Sequence, residues 1–144
     1  MKSWSKRYLQ ISAIIFLITG AVKFISATKS VAVLNSIDPV FGFSTRWIFF
    51  LAGGWEISLG VLILINSIPI RSHIMVLWTA VMFMSYRIIL HLMGGDKLCP
   101  CLGSSTEWLK WSHQTTNVIL WLIITYLMCG SSLFLLSNHI TTKK

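Results

Sequence analysis

Four stretches of this chain, 8–27, 47–65, 74–93 and 118–136, are almost wholly apolar. Each is about 20 residues long, which is what a helix needs to cross a hydrocarbon layer ~30 Å thick. Polar or breaking residues separate them: Asn35-Ser36-Ile37-Asp38-Pro39, then Asn66-Ser67-Ile68-Pro69, then Gly94-Gly95-Asp96-Lys97. Inside lipid, every backbone N–H and C=O must be satisfied within the structure, so long apolar runs become helices. A membrane barrel would instead need alternating segments of about 10 residues, and these runs do not alternate. The expectation is an all-α membrane protein, a four-transmembrane-helix bundle, in one domain over 1–144. Composition agrees, with 55% hydrophobic and only 11% charged residues, against roughly a quarter charged in a soluble domain.

Lys2, Lys6 and Arg7 precede the first run, as in a secretory signal. The run is longer than a signal core and no A-x-A-like site follows it, so it is read as an uncleaved span. Residues 28–35 are expected to form a short helix lying in the membrane interface.

The net charge is +8. The basic residues flank apolar runs and are not interleaved with aromatics, which argues for topology signals and anionic lipid headgroups and against nucleic acid. Lys2, Lys6, Arg7, Arg71, Lys143 and Lys144 fall on one side of the four spans, and Lys29, Arg46, Lys97 and Lys110 on the other. The positive-inside rule then puts both termini in the cytoplasm. The first loop and the 94–117 loop would face the periplasm of a bacterial inner membrane. Trp47, Trp108 and Trp111 are expected at the outer interface, with Trp4 and Trp78 at the inner one.

The 94–117 loop carries Cys99-Pro100-Cys101. Outside the cytoplasm disulfides persist. Two cysteines one residue apart close only a small, strained ring, and strained exposed disulfides are the labile or catalytic ones. Cys99 and Cys101 are therefore the candidate catalytic pair of a thiol–disulfide oxidoreductase, with Lys97 favouring the thiolate. Two rivals stand beside this reading. One is a pair of purely structural cysteines. The other is soft-metal binding to the thiolates, although no two further cysteines complete a zinc site and no metal ligand set is assigned. Cys129 lies about 12 residues into the fourth run, ~18 Å along its axis, and is read as a small residue packed between helices.

Lys23, Glu56, Arg87 and His91 fall inside the runs, where an ionisable group is expensive. With both termini inside, Lys23, Arg87 and Glu56 lie roughly 6, 9 and 13 Å below the outer surface, beneath the cysteine loop. Arg87 and His91 are four apart and share a helix face. Glu56 is the one acidic residue in any run, hence the partner for Lys23 or Arg87. These four form a supporting polar group, either as a register-fixing ion pair or as groups that tune a thiol or carry protons. Gly53, Gly54 and Gly60 flank Glu56 and would let another helix come close. No cofactor is evident. A quinone would serve as electron acceptor, but no residue pattern marks a site for one.

Gly20-x-x-Lys23, Gly54-x-Glu56-x-x-x-Gly60 and Cys99-x-Cys101-x-Gly103, in that order on four spans, resemble the MauE family of methylamine-utilisation membrane proteins, within a wider DoxX-like group. The resemblance covers most of the chain, from Tyr8 to Leu136. It implies a role in maturing a periplasmic, disulfide-rich subunit of methylamine dehydrogenase, beside a thioredoxin-like partner, with Cys99 and Cys101 as the redox pair. Pro100 stands where the family pattern leads one to expect a small residue. The reading from a different class is a non-enzymatic membrane scaffold or assembly subunit, in which the cysteines are dispensable.

Overall fold

The computed structural model of the protein describes residues 2–28, 32–65, 68–93 and 113–142. Four helices make up the bundle: α1 (Lys2–Thr28), α2 (Thr45–Ile65), α3 (Pro69–Leu92) and α4 (His113–Thr142). All four are long and apolar enough to cross a membrane. A short 3-10 turn, Ala32–Asn35, follows α1.

The helices outrun the apolar stretches from which they were expected. α1 starts six residues before position 8, α3 five before position 74, and α4 takes in 113–117, assigned to the cysteine loop, and runs on to Thr142. An apolar run measures the hydrocarbon layer, whereas a helix continues through the headgroups until something breaks it. Pro69 opens α3 as its first residue, where proline's fixed φ suits a helix and its missing N–H is not needed. That earlier start moves Trp78 nine residues into α3, about 14 Å along the axis. Of the interfacial helix expected over 28–35, the 3-10 turn Ala32–Asn35 is present.

The bundle is two helix pairs. α1 packs along α2, α3 along α4, while α2 and α3 meet little although they are neighbours in the chain. Between α2 and α3 lies an apolar groove of about 240 Å³, flanked by Trp55 and Trp78. The α1–α2 pair is close because small residues meet across it. A Cβ on Gly20 would sit 2.8 Å from the Gly53 carbonyl oxygen, and one on Gly53 would sit 2.9 Å from that of Gly20. Gly60 likewise faces Leu17 and Ala13. This is how helices associate in lipid, where water expulsion drives nothing and close packing does. Gly54, expected to share this role, has nothing within 4 Å of its would-be Cβ and lies away from α1.

The core collects where α1 meets the other helices: Tyr8, Leu9, Ala13, Phe16, Ile63, Val76, Ala80 and Leu127. Many large apolar side chains point outward, Leu51 and Ile65 among them. For a protein solvated by lipid tails that is the expected exterior. Three contacts set the helix directions. Early α1 meets early α3 and late α4, since Ser5 bonds His73 and Tyr8 bonds Ser131. Late α3 meets early α4, since Arg87 lies over Trp121. The bundle therefore has a terminal end, where α1 begins and α4 finishes, and a connector end, where the chain passes from α1 to α2 and from α3 to α4.

Candidate functional site

Late α1 and mid α2 bring Lys23 and Glu56 together as an ion pair. Glu56 is 2% exposed and the Lys23 side chain 15%. Lys23 Nζ also lies 4.7 Å from the centre of the Phe83 ring on α3, a cation–π distance. A lone charge in lipid would be expensive, and each of these offsets the other. The reciprocal Gly20–Gly53 contact sits beside the pair, so the backbones approach where the charges must meet.

Lys23 is the cation that takes Glu56. Arg87, one helix away, has its guanidinium carbon 5.2 Å from the centre of the Trp121 ring on α4. His91 lies in the last turn of α3 and is exposed. The four intramembrane groups thus divide between the two helix pairs; Lys23, Arg87 and His91 lie toward the connector end, and Glu56 sits at the middle of α2.

The α1–α2 connection supplies a feature the apolar pattern did not announce. Asp38 Oδ1 accepts the backbone N–H groups of Val40 at 2.9 Å and Phe41 at 3.0 Å. Its Oδ2 accepts the Tyr86 hydroxyl at 2.5 Å. The Phe41 ring stacks on Tyr86, with centroids 5.7 Å apart and planes 14° from parallel. Asp38 is an ordinary turn former that bonds its own following backbone. Here its second oxygen also ties the turn to α3.

A second polar centre lies at the terminal end and is neutral in composition. Ser5 Oγ and His73 Nε2 are 3.0 Å apart, with His73 0% exposed. The Tyr8 hydroxyl donates to the Leu127 carbonyl at 2.8 Å and lies 3.0 Å from Ser131 Oγ. His73 stands one residue before the apolar run at 74, so hydropathy does not mark it as part of a span. The available signal was the polar register of α1: Ser5, Tyr8, Ser12, Thr19 and Lys23 recur at helical spacing on one face.

Cys99 and Cys101 lie outside the described residues, as do Lys97, Trp108 and Trp111. Their segment joins α3 to α4 and so departs from and returns to the connector end. Cys129 is exposed on α4, not packed between helices as its small size suggested. A small residue suits a helix contact but does not require one. Among the described residues, no three His, Cys, Asp or Glu side chains gather as a metal site would require.

Four apolar helices with a buried ion pair between the first two define a multi-pass membrane protein whose interior is built around a few polar contacts. The family model described as Methylamine utilisation protein MauE matches residues 8–135, and the chain belongs to that family. No curated protein and no solved structure matches it.

Proposed function

We propose that the protein supports thiol–disulfide exchange on a partner outside the cytoplasm, with Cys99 and Cys101 as the exchanging pair. The observation that carries this reading is their spacing, one residue apart in the segment joining α3 and α4, which leaves only a strained disulfide ring. Membership of a methylamine-utilisation family supports it, because the resemblance implies a disulfide-rich periplasmic client. In this reading the protein sits in a bacterial inner membrane with both termini cytoplasmic.

The exchange balances as follows. A client thiolate attacks one sulfur of the Cys99–Cys101 disulfide and forms a mixed disulfide. The client's second thiolate displaces that sulfur, leaving the client oxidised and Cys99 and Cys101 as a dithiol. Two electrons and two protons have then passed from client to protein. A thioredoxin-like disulfide or a quinone takes them onward and restores the pair. The thiolate is the attacking form throughout.

The test is alkylation of intact spheroplasts with a membrane-impermeant maleimide, in a Cys129→Ser background, with and without prior reduction. Labelling only after reduction is expected. Free labelling without reduction would mean a standing dithiol and favour metal binding or a reductive role. Labelling only after permeabilisation would invert the topology and remove the oxidising compartment. Client oxidation should be lost in Cys99→Ser/Cys101→Ser while membrane insertion is kept. A fully active double variant would leave the scaffold reading.

A further inference from the structure

We propose that the α1–α2 connection is a membrane-interface anchor, with Ile37, Phe41 and Phe43, continued by Trp47, seated in the boundary layer of the bilayer and lipid as their partner. This inference is independent of the cysteine chemistry.

Depth is the first support. α2 has 21 residues, about 31 Å at 1.5 Å per residue, close to the ~30 Å of a hydrocarbon core. Thr45, its first residue, therefore falls at the hydrocarbon boundary when the helix spans. The connection does not stand off above that boundary. Its Asp38 carboxylate is held at 2.5 Å by Tyr86, which precedes the end of α3 at Leu92 by six residues, or about 9 Å. The turn is thus laid against the flank of α3, below that helix's end.

Its surface chemistry is the second support. Ile37 is 72% exposed, Phe41 55%, Phe43 67% and Trp47 65%. Asp38 is the only charged residue between positions 34 and 44, and it is 4% exposed with both oxygens engaged. From 34 to 44 the segment thus presents large apolar groups and no charge, and Arg46, half-buried beside Trp47, is the first cation after it. Facing water, such a patch would drive association. At the headgroup level it is an aromatic belt.

The backbone closes the argument, because a chain meeting lipid must satisfy its own hydrogen bonds. Asp38 N–H donates to the Phe43 carbonyl at 2.8 Å and Gly42 N–H to the Asp38 carbonyl at 2.9 Å. Thr45 N–H donates to the Ser36 carbonyl at 3.0 Å, and the Thr45 hydroxyl to the same oxygen at 2.9 Å. Gly42, with φ at 69°, makes the tight turn that this closure needs.

Two measurements test the anchor. The first is hydroxyl-radical footprinting of the unmodified protein in phosphatidylcholine nanodiscs, read at Phe41 and Phe43. Both rings should be oxidised far more slowly than in the urea-unfolded chain, and no faster than Trp47. The second places spin labels at Ile37→Cys and Phe43→Cys in a chain whose three native cysteines are serine. Leu51→Cys, six residues into α2, is the hydrocarbon reference. Collision with oxygen should exceed collision with a water-soluble nickel chelate at positions 37 and 43, as at 51. Rapid oxidation of the two rings, or chelate collisions equal to those of a label in water, would overturn the proposal and leave the patch as a protein-docking face.

Discussion

The two polar centres of this bundle solve the same problem in opposite ways. Near the connector end, α1 and α2 share a full ion pair between residues 33 positions apart, inside the most tightly packed helix pair. Near the terminal end, α1 reaches α3 and α4 through hydroxyl and imidazole groups across 68 to 123 positions. The charges sit where backbones touch, because glycines bring the stems close enough for Lys23 to reach Glu56. The neutral bonds sit on the seam between the two helix pairs, where the Tyr8 ring lies against Gly130. The ion pair therefore holds α1 to α2, while hydroxyl contacts at the terminal end, with Lys23–Phe83 and Asp38–Tyr86 toward the connector end, hold the pairs to each other. A single failed partner should cost more in the first centre than in the second.

The largest effect is expected at Lys23. Lys23→Met removes the cation and leaves a carboxyl group that is 2% exposed without its partner. Breaking a buried pair from one side costs about 3 to 5 kcal/mol, while replacing both members with uncharged groups of similar size is far milder. Denaturant unfolding of purified protein in mixed micelles should show that loss for Lys23→Met and recover most of it in Lys23→Met/Glu56→Gln. A single variant as stable as the parent would mean that charge is incidental and the glycine contact alone holds α1 to α2.

The glycines give the next step down. Gly20→Ala would set a methyl 2.8 Å from the Gly53 carbonyl oxygen, and backbone cannot swing aside as a side-chain tip can. Overpacking of this kind costs about 1 to 3 kcal/mol. Gly54→Ala meets nothing within 4 Å, and an added methyl in a helix interior is worth about 0.5 to 1 kcal/mol in its favour. The same unfolding assay should separate the two variants in sign. Equal losses would show that α2 turns a different face to α1.

How much of this could be read in advance follows from what each contact looks like in a linear chain. Four spans were legible because length and apolarity are summed over about 20 residues and tolerate local noise. Lys23 and Glu56 were legible because a charge in such a run stands out. Which cation would take Glu56 was not, because spacing along separate helices does not say how they turn toward each other; Arg87 goes to Trp121 instead. Helix ends are not legible from hydropathy, which falls off at the headgroups while hydrogen bonding does not. Tyr8, His73 and Ser131 passed without notice, since hydroxyl groups are common in spans and their partners lie far along the chain. Asp38 reads as turn punctuation, and its tie to Tyr86 appears only once α3 is laid beside it.

The smallest expected loss lies at the seam. Tyr8→Phe deletes the hydroxyl that contacts the Leu127 carbonyl and Ser131 Oγ. Side-chain hydrogen bonds between membrane helices are worth about 0.6 kcal/mol on average and ~1.7 at most. The value here should fall in that range. The Leu127 carbonyl lies in mid-helix, where the ladder already supplies a donor, and a serine hydroxyl can turn back to its own helix. The aromatic body remains to fill the core and to face Gly130, so packing is unchanged. A double-mutant cycle with Ser131→Ala isolates the hydroxyl contact from the ring. Coupling near the low end keeps the seam as the weaker of the two centres. Coupling that exceeded the Lys23→Met loss would reverse the order, making the neutral seam the main tie of the bundle and the ion pair a fixer of register.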